Sequence, residues 1–306
     1  MANCLVLGGN GLIGSFVAEQ LVAKGCVVNV FDRFSGRDNL KAVEPRVGKV
    51  NGDYLKAGDV KAALKGMDFV FHCIHTTVPR TSIEKPVFDA ETNILPSIGL
   101  LKEACNQGVK KVVYISSLAV YGNPEKNPVK EDAPLEPVTP YGVSKRAIER
   151  YIEYFNRLYG LDYAILRPAT AYGERQAVSP GTGVVANFIY NALRNNPLVI
   201  YGDGSAERDL LHAEDLAHGV VLSAFKKSKF RIFNLGTGKG VSLNELAKKV
   251  EEAKGSRLEI RHLNKVDEVQ KLICDTSRAG KELGWKPEIS LGEGIKRCFA
   301  EFKKEM

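Results

Sequence analysis

The stretch Leu5-Val6-Leu7-Gly8-Gly9-Asn10-Gly11-Leu12-Ile13-Gly14 decides the fold of this 306-residue chain. Its apolar start is typical of a buried strand and the residues after it predict a helix, so the glycines occupy the turn between them. Gly8, Gly11 and Gly14 permit a tight turn, a close approach of backbone to a pyrophosphate, and close packing of the helix on the sheet. The helix N-terminus favours the same anion, and the stretch therefore predicts a dinucleotide site.

A carboxylate follows where such a site needs one. The second predicted strand, Val27 to Asp32, ends eighteen residues after Gly14. Asp32 can accept hydrogen bonds from both adenosine-ribose hydroxyls and would repel a 2′-phosphate, which favours NAD over NADP. Arg33 and Arg37 keep NADP open, because an arginine there can bind that phosphate. Asp53 is a candidate for contact with the adenine amino group, or only a turn residue.

Short β-rich runs alternate with helix-length segments, which predicts right-handed βαβ units. The runs are Asn3 to Leu7, Val27 to Asp32, a strand at Val50, Asp68 to Cys73, Lys111 to Ser116 and Tyr163 to Arg167. Later strands are expected at Leu198 to Tyr201, Arg231 to Leu235 and Leu258 to Arg261. The expected fold class is α/β, a Rossmann-like doubly wound parallel sheet with a smaller C-terminal α/β substrate-binding lobe. Arg231 to Leu235 is a candidate to return to the main sheet.

A possible catalytic group lies at the start of a predicted helix, Tyr141 to Leu158. Tyr141 and Lys145 stand one turn apart on the same face, so both can reach one ligand. An ammonium about 5 Å from the phenol would favour the phenolate by about 3 kcal/mol, roughly two pKa units. Ser117 follows the predicted strand Lys111 to Ser116, at the edge where open α/β sheets bind ligands, and can hydrogen-bond the same reacting oxygen.

Val143, Ile148, Ile152 and Phe155 recur near a helical period in the same helix, so we expect one side of it to be buried.

Composition limits the partners. The formal charge of +7 comes from lysines spread along the chain, which fits a solvated surface or an anionic nucleotide diphosphate better than a nucleic acid. The six cysteines form no CxxC pair, and His72 and His75 lack a third ligand, so no metal site is expected. No apolar run is long enough to span a membrane and no leader pattern is visible. We therefore expect a soluble, cytoplasmic protein with no nucleic-acid or membrane partner.

Taken together, the motifs resemble the extended short-chain dehydrogenase/reductase family over nearly the whole chain, and within it the UDP-glucose (UDP-galactose) 4-epimerase group. The matching residues are Gly8, Gly11, Gly14, Asp32, Asp53, Asn93, Ser117, Tyr141, Lys145, Leu166-Arg167-Pro168, Tyr172-Gly173, Arg175-Gln176, Ile200 to Gly204, Arg208-Asp209, Glu214-Asp215-Leu216, Asn234 to Gly238, Asp275-Thr276-Ser277 and Leu283-Gly284-Trp285.

The resemblance implies NAD-dependent 4-epimerisation of a UDP-hexose. Tyr141 would be the acid/base on the sugar 4-hydroxyl, Ser117 its hydrogen-bond partner, and Lys145 the group that binds the nicotinamide ribose and tunes the tyrosine. Hydride would leave C4 for NAD and return to the other face of a 4-keto sugar, so that no external reductant is consumed.

The same resemblance assigns the remaining contacts. The expected cofactor-binding residues are Gly8, Gly11, Leu12, Ile13, Gly14, Asp32, Arg33, Asp53, Tyr54, Cys73, Ile74, His75, Asn93, Tyr141, Lys145 and Pro168. The expected substrate-binding residues are Thr77, Ser117, Tyr141, Thr170, Val184, Val199, Tyr201, Arg208, Lys265 and Glu268.

The chain departs from the family pattern at three places. Lys265 stands where a second diphosphate arginine is usual, with Glu268 where Asp is usual, and both changes keep the charge but alter the reach. His72-Cys73-Ile74-His75 replaces the common HxAA pattern beside the cofactor. Leu272 corresponds to the position that limits room at the sugar C2 substituent, and it is smaller than the tyrosine that excludes N-acetyl groups in some relatives. We therefore expect tolerance of UDP-GlcNAc.

Three alternatives to the epimerase remain. A 4,6-dehydratase would need an acid and a base where Leu118-Ala119 stand, and their absence argues against it. A nucleotide-sugar 4-reductase would share the catalytic residues but usually prefers NADPH, against which Asp32 argues. A degenerate NAD-binding protein is disfavoured by the intact Ser117, Tyr141 and Lys145.

The expected organisation also rests on the family. Residues 1–170 would form the NAD-binding Rossmann domain, to which 210–250 return, and residues 171–209 and 251–306 would form the nucleotide-sugar-binding lobe. Relatives pair two long helices from each subunit in a four-helix interface, here Asp89 to Asn106 and Tyr141 to Leu158, so we expect a homodimer.

Overall fold

The computed structural model describes residues 1–177, 183–264 and 269–305, and its centre is a seven-stranded parallel sheet. The strands, in spatial order, are β11 (Ile232–Leu235), β6 (Asp162–Pro168), β5 (Lys111–Ile115), β4 (Phe69–His72), β1 (Asn3–Leu7), β2 (Val27–Asp32) and β3 (Val47–Asn51). The order reverses between β1 and β4, which opens a crevice at the carboxyl ends of these strands. The expected strands are confirmed, except that the one expected at Leu258 to Arg261 lies two residues later, at Ile260–Leu263. The return of Arg231 to Leu235 to the main sheet is also confirmed.

Helices cover both faces of this sheet, as the doubly wound expectation requires. One face packs on α1 (Leu12–Ala23), α7 (Ala213–Phe225) and α9 (Ser277–Leu283). The other face packs on α2 (Ala57–Ala63), α4 (Pro86–Asn106) and α5 (Pro140–Tyr159), with the short α3 (Pro79–Glu84) between β4 and α4. Among the described residues, no helix is both long enough and apolar enough to span a membrane.

The smaller lobe has its own core. Helices α6 (Val184–Leu193), α8 (Leu243–Lys254) and α10 (Leu291–Phe302) pack around a parallel pair, β8 (Leu198–Tyr201) and β13 (Ile260–Leu263). A small sheet joins β9 (Glu207–Arg208) to β12 (Val241–Ser242) and β14 (Lys271–Leu272). A parallel pair, β7 (Thr170–Tyr172) and β10 (Leu210–His212), completes the described strands.

Two helices pack in the core opposite to the one expected from their place in the chain. Helix α8 crosses the expected boundary at residue 250, and its part within 210–250 buries Leu246, Ala247 and Val250 in the smaller lobe. Helix α9 falls within 251–306 but buries Ala279 and Leu283 against the main sheet layer. Each helix follows its apolar stripe rather than its place in the chain, so the chain passes between the two cores more often than the sequence suggested.

Helix α5 bears out its expected burial except at one residue. Ile148, Ile152 and Phe155 are buried, whereas Val143 is 51% exposed. The prediction for Val143 was wrong because five residues separate it from Ile148, which turns it about a third of the way round the helix from the buried stripe.

A buried ion pair ties α5 to β6. Arg167 Nε and Nη2 donate to the two carboxylate oxygens of Glu149 at 2.9 and 2.8 Å, and both side chains are almost completely buried. Ser116 Oγ donates to Glu149 at 2.6 Å, and Tyr121 accepts a further bond from Arg167 at 2.8 Å. The carboxylate holds the pKa of Arg167 above its usual value although burial acts in the opposite direction.

Removing the charge at Glu149 should therefore unfold the protein more easily. Glu149→Gln leaves the guanidinium buried without its carboxylate, and we expect a loss of about 3–5 kcal/mol in the free energy of unfolding. Glu153→Gln, on the same helix but in a partly exposed pair with Arg150, should cost at most about 1 kcal/mol. Urea denaturation of both variants tests this, and equal midpoints would contradict it.

Candidate active site

The glycine turn after β1 has the geometry that its sequence predicts. Gly8 has φ +74°, and a side-chain carbon at Gly14 would overlap the carbonyl oxygen of Gly8. Gly11 is the N-cap of α1, so Leu12 and Ile13 are the first residues of the helix. This turn fits a cofactor pyrophosphate, because bare backbone and free helix N–H groups face the same point.

Asp32 lies beside this turn at the end of β2. Its carboxylate accepts hydrogen bonds from the backbone N–H groups of Asn10 at 3.0 Å and Arg33 at 2.8 Å. Arg37 is directed to the smaller lobe, where Nη1 donates to Glu174 O at 2.9 Å and Nη2 pairs with Glu301 at 2.6 Å. An Arg37 held in this way is not available for a 2′-phosphate, and the argument for NADP from this residue is removed. Arg33 is exposed.

Asp53 and Tyr54, both expected to bind the cofactor, have different environments. Asp53 Oδ1 accepts the Leu55 N–H at 3.0 Å, so the carboxylate caps a turn, with its second oxygen left for a ligand. Tyr54 is buried, and its hydroxyl contacts His72 Nε2 at 3.0 Å and Ser97 Oγ at 3.0 Å. The side chain of Tyr54 thus belongs to the core, and only its backbone can meet a cofactor.

The start of α5 is pressed against the turn that follows β5. Thr139 caps the helix through the Gly142 N–H at 3.2 Å, and Pro140 occupies its first turn. A side-chain carbon at Gly142 would stand 2.7 Å from Ala119 O, so only glycine permits this approach. The contact brings Tyr141 to Ser117, whose hydroxyl also accepts the Ala119 N–H at 3.1 Å.

Lys145 points inward from the next turn of the helix. Its ammonium donates to Ile115 O at 2.7 Å and lies 5.6 Å from the centre of the Tyr141 ring. Burial lowers the pKa of Lys145 to about 7, against the opposing effect of Cys73, Glu149 and Asp89. The structure therefore brings the predicted trio of Ser117, Tyr141 and Lys145 together, with a lysine that can gain or lose its proton near neutral pH.

The expected lowering of the Tyr141 pKa is wrong for the protein alone. Burial raises this pKa to about 12, Asp89 adds to the rise, and only the hydrogen bond with Ser117 acts against it. The fall was expected from the Lys145 ammonium alone. Burial also removes water from around the phenolate, and this desolvation raises the pKa by more than the ammonium lowers it.

Asp89 was expected only as the first residue of a helix, but the structure brings it close to Tyr141 and Lys145. It is fully buried on α4 and accepts hydrogen bonds from Thr77 Oγ1 and Ser144 Oγ. Asn93, one turn later, donates to the Asp89 carbonyl at 2.8 Å and accepts the Thr76 N–H at 2.9 Å. An aspartate four residues before the expected Asn93, on the same helix face, was the available signal.

The loop after β4 carries Cys73, Ile74 and His75 along the same edge of the sheet. His75 packs edge-on against Tyr141 with ring centres 4.7 Å apart. His72 is buried between Tyr54 and Ser97, and burial lowers its pKa to about 3. Over the described parts of the chain, neither histidine belongs to a group of three potential metal ligands.

The residues expected to bind substrate begin at the same edge and extend into the smaller lobe. Pro168, which was expected to bind the cofactor, ends β6. Of the expected substrate residues, Thr170 begins β7 and Val184 is the first residue of α6. Val199 and Tyr201 lie on β8, with Tyr201 exposed. Arg208 on β9 pairs in register with Leu272 on β14. Lys265 and Glu268 lie outside the described residues.

Comparison with known proteins places this arrangement among related ones. The sequence model of the NAD dependent epimerase/dehydratase family matches residues 4–236. A putative UDP-glucose 4-epimerase of Methanocaldococcus jannaschii is 39% identical over 296 residues, which is 96% of each chain. The Thermotoga maritima UDP-glucose 4-epimerase structure, solved with UDP-glucose, superposes with a TM-score of 0.92 at 34% identity over 99% of each chain. The UDP-N-acetylglucosamine 4-epimerase of Methanobrevibacter ruminantium reaches 0.93 at 30% identity, over 100% of this chain and 99% of its own.

We expect glycine at position 14 to be required for cofactor retention, because a Cβ there would overlap the carbonyl oxygen of Gly8. In Gly14→Ala the new methyl group would push α1 away from Gly8, so we expect at least a tenfold loss of bound dinucleotide. The matched control is Gly58→Ala on α2, where no atom lies within 4 Å of the added carbon. Nucleotide released on denaturation is measured for both variants, and full occupancy in Gly14→Ala would contradict the assignment of this turn.

Proposed function

Because the chain belongs to the NAD-dependent epimerase/dehydratase family, we propose that it interconverts the C4 epimers of a UDP-hexose through a transient 4-keto sugar. The observation that carries this proposal is the meeting of Ser117, Tyr141 and Lys145 at the end of β5, beside the glycine turn. The expectation of NAD as the cofactor is confirmed by the family. The similar proteins named as UDP-sugar 4-epimerases support the choice of reaction.

Each residue of the trio has a separate task in the proposed reaction. NAD would take the hydride from C4 and give it back, and its cationic ring would favour the phenolate of Tyr141. Tyr141 removes the proton of the 4-hydroxyl and returns it after the sugar has turned over in the site. Ser117 donates a hydrogen bond to the same oxygen. Lys145 holds the nicotinamide ribose and supplies positive charge close to the phenol.

Burial of this trio has a chemical consequence. A pKa of about 12 keeps Tyr141 protonated near neutral pH, whereas a pKa of about 7 leaves Lys145 divided between its charged and uncharged forms. Bringing a cationic ring to the site would favour the phenolate, so we propose that the tyrosine becomes a base only when oxidised cofactor is bound. This arrangement would spare the apoprotein a buried phenolate.

The structure bears differently on the two alternative reactions. At the position where a dehydratase needs an acid and a base, Leu118 is buried and the Ala119 N–H donates to the Ser117 hydroxyl, which caps the turn. Neither the Leu118 nor the Ala119 side chain can donate or accept a proton, so elimination of water is disfavoured. A 4-reductase remains the second candidate because it would use the same trio, but Asp32 and the engaged Arg37 disfavour NADPH.

The sugar nucleotide is proposed on chemical grounds. Arg208 is suited to a diphosphate because its guanidinium can form paired hydrogen bonds with phosphate oxygens. Leu272 pairs in register with Arg208 on the neighbouring strand, which supports assigning the diphosphate contact and the limit at C2 to one part of the site. We propose UDP-Glc and UDP-Gal as substrates, with UDP-GlcNAc and UDP-GalNAc also accepted.

A homodimer is part of the same proposal. Helices α4 and α5 pack side by side, and the outward faces of the two carry exposed apolar side chains. These are Val87, Phe88, Leu95, Val143, Tyr151, Tyr154, Leu158 and Tyr159. An apolar face of this extent is typical of a contact surface, and a second copy of the pair would cover it in a four-helix interface.

The proposed function predicts activity without added cofactor. Purified protein should release NAD on denaturation and, before denaturation, convert UDP-Glc to UDP-Gal and UDP-GlcNAc to UDP-GalNAc. Turnover of the first pair alone would sink the prediction made from Leu272. A protein that instead consumes NADPH in the presence of a 4-keto sugar would establish the reductase.

Loss of the reacting groups should abolish turnover without unfolding the chain. Tyr141→Phe and Lys145→Ala should each lower kcat by about 10²–10⁴-fold, because proton transfer or its electrostatic support is lost. Tyr190→Phe on α6 and Lys110→Ala at the surface serve as matched controls. Near-normal kcat in either site variant, with NAD still bound, would disprove the mechanism.

A further inference from the structure

His75 is an unusual group to find at the base of the proposed catalytic tyrosine. Its side chain is only 8% exposed. Its ring makes an edge contact with Tyr141 at an interplanar angle of 77°. Neither ring nitrogen has a hydrogen-bond partner of good geometry in the described structure. A buried imidazole without full hydrogen bonding costs free energy, which calls for a role.

Asp89 is the charged group nearest to this imidazole. His75 Nε2 lies 3.5 Å from Asp89 Oδ1. Burial alone would raise the pKa of Asp89, but His75, Ser144 and Thr77 together lower it to about 2. The carboxylate is therefore ionised at every pH at which an enzyme would be assayed, and it acts on Tyr141 from inside the protein.

The imidazole is neutral under the same conditions. Burial, with a further contribution from Lys145, lowers the pKa of His75 to about 4, although Asp89 opposes the change. A neutral imidazole carries one N–H, and Asp89 is an acceptor within reach of Nε2. With the proton on Nε2, a small contraction of the 3.5 Å separation completes the hydrogen bond, and the positive end of the N–H dipole then faces the carboxylate.

We propose that His75 and Asp89 form a positioning pair for Tyr141, in which the imidazole holds the phenol ring and offsets the field of the carboxylate at the phenol. The inference rests on the proposed function, because it assigns Tyr141 to proton transfer. Asp89 raises the pKa of Tyr141, so any group that offsets its charge makes the phenolate easier to form. His75 does so without adding a cation beside the cofactor.

Other ionisable groups face the pair, and the proposal takes them into account. They are Lys145 from α5, Tyr114 from β5, His72 and Cys73 from the end of β4, and Tyr54 behind His72. Burial keeps the pKa of Cys73 near 12 and that of His72 near 3, so neither changes charge near neutral pH. Lys145 does titrate there, so the substitutions below change His75 and leave Lys145 in place.

Two substitutions separate the polar contact from the packing. His75→Phe keeps a ring against Tyr141 but removes the N–H that faces Asp89. His75→Gln removes the ring but keeps an N–H of similar reach. If the pair acts as proposed, His75→Phe should lower kcat about tenfold at pH 7, with KM changed less than twofold. The acid limb of its kcat profile should move up by about one pH unit, which corresponds to that factor. His75→Gln should stay within threefold of the parent protein.

The variants are measured as holoproteins, with bound NAD and thermal midpoint determined for each. A His75→Phe protein with the parental kcat and pH profile would overturn the inference. So would a His75→Gln protein that loses as much activity as His75→Phe, since an N–H that faces Asp89 would then fail to restore the activity.

A measurement without substrate keeps this test independent of the reaction. In protein labelled with [13Cζ]tyrosine, the Tyr141 signal is identified by its loss in Tyr141→Phe, and its ionisation is followed as the pH rises. Onset at a higher pH in His75→Phe, but not in His75→Gln, supports the pair even if no UDP-hexose reacts. That combined result would reject the proposed function and retain the inference, whereas the same onset in all three proteins would reject the pair.

Discussion

The site depends on how one face of α5 is fixed to the end of β5. Tyr141, Lys145 and Glu149 follow one another at intervals of one turn, and each bonds a different one of the three consecutive residues Ile115, Ser116 and Ser117 at the end of the strand. Lys145 donates to Ile115 O at 2.7 Å, Glu149 accepts from Ser116 Oγ at 2.6 Å, and Tyr141 bonds Ser117. Because Arg167 holds Glu149 from β6, the helix cannot slide along the strand without breaking a buried ion pair. Precise placement of the phenol follows from that restraint.

Buried charge is the recurring cost of this arrangement, and the chain meets it in three ways. Arg167 and Glu149 satisfy each other by a bidentate pair. Asp89 is surrounded by donors from Thr77 and Ser144. Lys145 has neither solution in full, and burial brings its pKa down to about 7. Lys145, whose charge is the least compensated of these, is therefore the group that titrates near neutral pH, and it lies where proton transfer is proposed.

Contacts between the two cores link the nucleotide turn to the smaller lobe. Arg37, in the loop after β2, pairs with Glu301 on α10 at 2.6 Å, and His212 contacts Glu174 at 2.8 Å. These bonds hold together elements that are far apart in sequence, so the lobe with the proposed substrate contacts is kept in register with the lobe that carries the glycine turn.

The sequence by itself determined the elements whose physics is local. The glycine turn, the parallel strand rhythm, Asp32 and the helical spacing of Tyr141 and Lys145 depend on backbone freedom, periodicity and short-range geometry, which a sequence displays directly. Only the tertiary structure decided the rest. It placed Asp89 and His75 beside Tyr141, turned Arg37 away toward Glu301, and assigned α8 and α9 to cores opposite to those expected. It also raised the Tyr141 pKa where proximity to Lys145 had suggested a fall. Each of these outcomes depends on burial and on partners distant in the chain, since desolvation exists only once the surrounding elements have packed.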